Sequence, residues 1–188
     1  IDGTVSACDL SGSDLTRANL KGADLRGVDL SNQDLSKSDL NEANLSGANL
    51  TRTNLTQANL LDTNLTNALL INTDLTDAKI AVEILDQALL CNTKGIDGTL
   101  SRCNLSDANL SQHDLNEANL SKANLTRANL AEADLTKVNL SGANLTEANL
   151  NRTLLINADI SGAKITKDVL DQAILCNTKR VDGIVSNC

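Results

Sequence analysis

The most regular feature of the chain is a leucine at every fifth position. Leucines follow one another at this spacing from Leu10 to Leu75 and again from Leu105 to Leu155. Between the two runs, the same phase is kept by Ile80, Leu85, Leu90 and Leu100. A five-residue period matches neither the face of an α-helix nor the alternation of a strand. The chain must therefore turn a corner in each unit, which predicts a solenoid whose units bury their leucines by stacking on one another.

The residues around each leucine follow a second pattern. If the leucine is position i, position i−2 is usually alanine, position i−1 is usually Asn or Asp, and positions i+1 and i+2 are mostly polar. A corner near the axis of a solenoid has room only for a small side chain, and Asn and Asp can bond nearby backbone in a tight turn. We therefore expect positions i−2 and i to face inward and the other three to face outward.

This pattern, carried by segments such as Ala-Asn-Leu-Thr-Arg at residues 48–52, resembles the small-(Asp/Asn)-Leu-x-x motif of the pentapeptide-repeat proteins. The resemblance covers nearly the whole chain and implies an all-β fold, a right-handed quadrilateral β-helix with about 20 residues per coil. Successive coils would lie about 4.8 Å apart, as neighbouring strands do. The 188 residues correspond to about nine such coils, with Leu10, Leu30, Leu50 and Leu70 in one interior column.

Two segments, 81–91 and 166–176, depart from the motif. Each places an acid, Glu83 or Asp168, where the coil requires a small inward residue. We expect a short helix in each segment, with Thr166 as an N-cap and Asp168 in the acidic first turn. The alternative is a coil that continues with a bulge, because the five-residue phase is kept through both segments.

The two departures also indicate a duplication. They have the same length, share most of their residue types in the same order, and are each followed by an Asp-Gly turn signal. We therefore interpret residues 1–188 as one pentapeptide-repeat solenoid made of two tandem units, about 1–95 and 96–188.

The cysteines follow the same duplication. Cys91 and Cys103 have the same spacing along the chain as Cys176 and Cys188. Each pair flanks an Asp-Gly turn, which resembles the C-terminal disulfide bracket of some cyanobacterial and plant thylakoid-lumen pentapeptide-repeat proteins. The resemblance implies two disulfides, a free thiol at Cys8, and an oxidising compartment such as the thylakoid lumen or periplasm. The alternative is five reduced thiols buried as small hydrophobes, which favours the cytoplasm.

The composition of the chain disfavours nucleic acid and membranes as binding partners. The chain has no Phe, Trp, Tyr, Met or Pro and carries a net charge of −8. Negative charge and the lack of aromatic stacking platforms disfavour direct binding to nucleic acid. No apolar run approaches the length of a membrane-spanning helix, so we expect no membrane insertion.

Candidate catalytic residues are scarce. His113 is the only histidine, and it lies in a tight coil where neighbouring side chains point in different directions, so we assign it no role in catalysis. The repeated aspartates at position i−1 are better explained by turn chemistry than by calcium, because the glycine-aspartate nonapeptides of calcium-binding β-rolls are absent. We expect no catalytic, cofactor-binding or metal-binding residues and therefore no enzyme.

Two functions remain. The first is a non-catalytic structural or interaction solenoid that presents a polar, mildly acidic surface to an unknown protein partner. The alternative is a DNA mimic that binds gyrase or topoisomerase, because the quinolone-resistance pentapeptide proteins are similar in fold and acidity, although Phe is common at position i in that group. Exposed edges of the end coils also suggest end-to-end self-association.

Overall fold

The computed structural model of the chain describes residues 14–98, 101, 103–182, 185–186 and 188. The chain divides into two compact units, Ile1–Ser101 and Arg102–Cys188. Cys8 and Leu10 lie outside the described residues.

Stacked parallel β-bridges define both units. Asn44 pairs with Asn64 in the first unit and Asn129 pairs with Asn149 in the second, and the other parallel bridges keep the same spacing along the chain. In the first unit the Leu45 N–H also donates to the carbonyl of Asn64 at 2.8 Å. Each step between stacked segments is thus four pentapeptides, as expected for a β-helical solenoid.

In the described residues, regular strands form where the polar residue at position i−1 is replaced by an apolar one. The first unit contains β1 (Leu69–Ile71) and β2 (Leu89–Cys91), and the second contains β3 (Leu154–Ile156) and β4 (Ile174–Cys176). Strand β1 pairs in parallel with β2, and β3 pairs in parallel with β4. Without an Asn or Asp that can bond the following backbone, the chain stays extended for three residues.

A short helix precedes the second strand of each pair. The helices are α1 (Val82–Leu85) and α2 (Lys167–Leu170), so both departures from the motif contain the expected helical turn. Glu83 and Asp168 are exposed, which explains why acids are accepted at these two positions. Thr166 occupies the N-cap position of α2, but its side chain makes no capping hydrogen bond. The expected N-cap position of Thr166 is therefore confirmed, but without the side-chain hydrogen bond that such a residue can make.

Leucines at position i form the core of each unit. Leu30, Leu50 and Leu70 are completely buried in the first unit, as are Leu125 and Leu145 in the second. Alanines at position i−2 pack beside them and are almost completely buried, including Ala43, Ala48, Ala58, Ala118, Ala123 and Ala128. The expected inward orientation of positions i−2 and i is therefore confirmed in the described residues.

Threonine replaces alanine at some inward positions and brings its hydroxyl into the core. The Thr63 hydroxyl donates to the carbonyl of Leu40 at 2.8 Å, and that of Thr153 donates to Leu130 at 2.7 Å. The equivalent bond, to a leucine of the preceding coil, is made by Thr53, Thr73, Thr93 and Thr178. A buried hydroxyl is tolerated here because it donates its hydrogen bond to a backbone carbonyl of the preceding coil.

Candidate interaction surface

Each corner of the coil is a tight turn that begins at the leucine. Ala18 donates its N–H to the carbonyl of Leu15 at 3.0 Å, and Arg17, the third residue of that turn, has φ of 61°. A positive φ at the third residue defines a type II turn. The same conformation recurs at position i+2 in both units, mostly at polar residues other than glycine.

This left-handed position was not predicted from the sequence. Glycines in the i+2 column, such as Gly22 and Gly27, carried the signal, because glycine adopts positive φ without steric cost. The pattern was not recognised because many i+2 positions hold Arg, Lys or Glu, which do not favour positive φ.

Where position i−1 is Asp or Asn, its side chain closes the corner from outside. The Oδ1 of Asp14 accepts the N–H of Thr16 at 3.0 Å, and the Oδ1 of Asp159 accepts that of Ser161 at 2.9 Å. The predicted use of Asp and Asn in turns is therefore confirmed. Hydrogen bonds from the hydroxyl and the N–H of Thr16 hold the pKa of Asp14 below its usual value, and bonds from Ser161 do the same for the pKa of Asp159.

Outward side chains also pair with the coil above or below. In the second unit, Arg127 makes two contacts of 2.7 Å with Asp107, and Lys137 contacts Glu117 at 3.0 Å. Both pairs join equivalent positions of adjacent coils and are exposed, so each contributes little to stability. Their effect is to order the charges into columns along the outer surface.

Asparagine amides form a second type of column on the same unit. Asn129 donates its Nδ2 to the Oδ1 of Asn109 at 3.1 Å, and Asn149 donates in turn to Asn129 at 3.0 Å. The outer surface of this unit therefore carries columns of paired charges and columns of hydrogen-bonded asparagine amides.

One cysteine pair lies at the C-terminal end of the second unit. The Cα atoms of Cys176 and Cys188 are 4.3 Å apart, and the pair is at disulfide distance. In the same unit Val185 forms an antiparallel bridge with Lys179. The Ser186 N–H donates to the carbonyl of Thr178 at 2.9 Å.

His113 is half-buried at an inward position. Its Nδ1 lies 2.9 Å from the carbonyl oxygen of Ser111, so the imidazole bonds its own turn. Within the described residues no group of three or more His, Cys, Asp or Glu side chains is placed to hold a metal ion. The only helices found there have four residues each, and neither is long and apolar enough to span a membrane.

Comparison with solved structures finds similar chains among pentapeptide repeat proteins. HetL, involved in heterocyst differentiation regulation in the cyanobacterium Nostoc sp. strain PCC 7120, is 29% identical, with 89% of this chain and 87% of that chain covered and a TM-score of 0.35. A pentapeptide repeat protein from the Arabidopsis thaliana thylakoid lumen is 26% identical, with 79% and 72% covered and a TM-score of 0.22. QnrB1, a plasmid-mediated fluoroquinolone resistance protein, is 16% identical, with 84% of each chain covered and a TM-score of 0.41.

A comparison with curated protein sequences finds no significant match. The family model for pentapeptide repeats matches the chain in 8 copies, at residues 5–32, 48–80, 103–142 and 133–167. These ranges make up more than half of the chain, and they contain the leucine columns and corner turns described above. The chain therefore belongs to the pentapeptide-repeat family.

Proposed function

We propose that the chain is a non-catalytic interaction protein that presents its polar, mildly acidic outer surface to a protein partner. One observation supports this proposal above others: in the part of the chain that the structure describes, many outward side chains bond their own turns or the adjacent coil. Arg127 is an example, because its Nε and Nη2 each donate a hydrogen bond to a carboxylate oxygen of Asp107 in the adjacent coil. Proteins built from pentapeptide repeats are generally structural or interaction proteins.

The architecture that carries this surface is part of the proposal. We infer right-handed coils, about nine in total for a chain of 188 residues, in two tandem units of about 1–95 and 96–188. A regular series of coils suits an extended partner surface, since its outward columns repeat with the strand spacing of about 4.8 Å.

A photo-crosslinking experiment tests the proposal. Asp62 and Lys122 are exposed at position i+2, one in each unit, and each is replaced in turn by a photoreactive amino acid. In extracts of the source organism we expect a discrete protein adduct at one or both positions, which excess unmodified chain removes by competition. The identified protein, once purified, should bind the chain. Absence of a competable adduct at both positions contradicts the proposal.

The state of the cysteines indicates the cellular compartment in which the protein meets its partner. We propose that Cys91–Cys103 and Cys176–Cys188 are disulfides, that Cys8 is free, and that the protein works in an oxidising compartment such as the thylakoid lumen or periplasm. A thiol count on unreduced, denatured protein, combined with peptide mapping, tests this. One reactive thiol at Cys8 is expected, and five reactive thiols contradict the brackets and point to the cytoplasm.

Binding to gyrase or topoisomerase is the second candidate. Its support is the charge imbalance of the first half, where residues 1–95 carry 13 acids and 7 bases. A DNA mimic should inhibit gyrase supercoiling at stoichiometric concentrations, and inhibition should weaken as salt rises, because the attraction is electrostatic. The interaction proposal expects no inhibition. The net charge of −8 argues against direct binding to nucleic acid in either case.

End-to-end association is a further proposal for the assembled protein. At the C-terminal end of the second unit, the antiparallel pairing of Val185 with Lys179 already occupies part of the coil edge. A contact at this end must therefore displace that segment. Size-exclusion chromatography should show a dimer population that grows with concentration, and a monomer at all concentrations contradicts the association.

A further inference from the structure

A small cavity lies in the second unit beside helix α2. Its volume is about 250 Å³, and its apolar lining consists of Ile165, Leu170 and Val181. Leu170 is buried, whereas Val181 is 44% exposed, so the apolar wall extends from the core to the surface. Ligand pockets for drug-sized molecules are usually about 300–1,000 Å³. The cavity therefore suits a smaller ligand with a short apolar chain.

Two cations, Lys167 and Arg180, also line the cavity. The Nε of Arg180 is enclosed by the protein and has no hydrogen-bond partner. Neither side chain forms an ion pair within the described part of the unit, whereas the adjacent Lys179 contacts Asp159 at 3.1 Å. Two positive charges in the cavity wall without a counter-ion are unfavourable, and an anion bound in the cavity would neutralise them through the remaining guanidinium nitrogens and the ammonium group.

The first unit contains a natural comparison. The corresponding residues of that unit keep the apolar wall, with Ile80, Leu85 and Ile96 in place of the three apolar residues. The two cations are replaced by Val82 and Gly95. Since both units build the same strand pair and short helix, the coil does not require the cations. Their presence is specific to the second unit and calls for a local explanation.

We propose that this cavity binds a small aliphatic monocarboxylate. The aliphatic chain packs against Ile165, Leu170 and Val181, and the carboxylate is held by Arg180 and Lys167. The planar guanidinium of arginine matches the geometry of a carboxylate. Asp182 also lines the cavity and opposes a second negative charge on the ligand, which favours a monoanion over a phosphate dianion.

Titration of the full chain with hexanoate, followed by NMR, tests the proposal. Hexanoate should shift the resonances of Ile165, Leu170 and Val181 in a saturable manner and leave those of Ile80 and Leu85 in the first unit unchanged. Hexanol, which lacks the charge, and inorganic phosphate, which lacks the chain, should each bind at least tenfold more weakly. Equal binding of all three, or no saturable shift with hexanoate, overturns the proposal.

Variants separate the roles of the two cations from general charge. Arg180→Gln should weaken hexanoate binding at least tenfold, and Lys167→Val should weaken it severalfold. Lys122→Gln is the matched control, because it removes one positive charge from the same unit outside the cavity and should leave the affinity unchanged. Equal loss in all three variants contradicts a specific site. If Arg180→Gln lowers the thermal stability measured by circular dichroism, its loss of binding could reflect unfolding. The affinity of Lys167→Val for hexanoate then tests whether the cations hold the carboxylate.

A gain-of-binding variant provides an independent check. The double substitution Val82→Lys and Gly95→Arg transfers both cations to the equivalent place in the first unit. We expect a second hexanoate site, seen as saturable shifts at Ile80 and Leu85. If the shifts stay confined to the second unit, the two cations do not account for binding, and the assignment of the carboxylate to them is wrong.

Discussion

The leucine column in the first unit makes a quantitative prediction about stability. Leu45 is completely buried, as are Leu25 and Leu65, which lie directly before and after it in the same column. Leu45→Ala removes three carbon atoms, which corresponds to about 2.4 kcal/mol at about 0.8 kcal/mol for each buried methylene. A cavity term adds to this and brings the expected loss to about 3–5 kcal/mol.

The upper part of that range is expected because the site cannot easily collapse. The Leu45 N–H donates to the carbonyl of Asn64 at 2.8 Å, and the Leu25 N–H donates to that of Asn44 at 2.8 Å. These backbone bonds hold the spacing between coils, so neighbouring leucines cannot move into the space that the alanine leaves.

Leu61 is the matched control for this experiment. It lies in the same unit at the outward position i+1 and is 44% exposed, so Leu61→Ala should cost about 1 kcal/mol or less. Urea unfolding is followed by far-ultraviolet circular dichroism, since the chain has no aromatic residue for fluorescence. If Leu45→Ala costs no more than Leu61→Ala, the leucine column does not form the core and the inward assignment is wrong.

Three further predictions concern single positions in the described residues. Lys122 has φ of 58°, so Lys122→Val should destabilise by about 1–2 kcal/mol while Lys122→Gly should be neutral or slightly stabilising, as urea unfolding will measure. Thr63→Val removes the bond to Leu40 and should cost about 1 kcal/mol, and an unchanged unfolding midpoint would show that the hydroxyl is dispensable. Hydrogen bonds from Ser36 lower the pKa of Asp34, so its contribution to stability is present above the unfolded pKa of about 3.9 and is lost as the pH falls through the folded pKa. Asp34→Asn keeps the turn acceptor and should reduce this loss in urea titrations at decreasing pH, whereas an unchanged pH profile contradicts the role of the carboxylate.

The repeating pattern of residue types was sufficient to predict the core. Position i holds a large apolar residue and position i−2 a small one, so inward and outward positions follow directly from burial. Leu50 and Ala48 show the result, since both are completely buried. The turn role of residues such as Asp14 was equally readable, because its side chain bonds a residue only two positions away.

The site of the proposed carboxylate was less visible in the sequence. The duplication revealed that residues 81–91 and 166–176 correspond, yet Lys167 and Arg180 belong to different segments and follow no motif. Only the return of the chain after helix α2 brings them to one cavity with Ile165. A pocket formed by residues from different turns leaves no periodic signal in the sequence.

The sequence alone therefore determined the repeat, the inward leucine columns, the polar outer surface and the places where the coil is interrupted. Only the tertiary structure decided the left-handed corner residues, the pairs between coils and the cavity. Arg17 shows the physical reason: its side chain gives no preference for positive φ, but in that conformation its N–H donates to the carbonyl of Ser36 in the next coil at 3.0 Å. A local steric cost is accepted because stacked coils offset it with hydrogen bonds, and a contact between residues of different coils is not visible in a five-residue pattern.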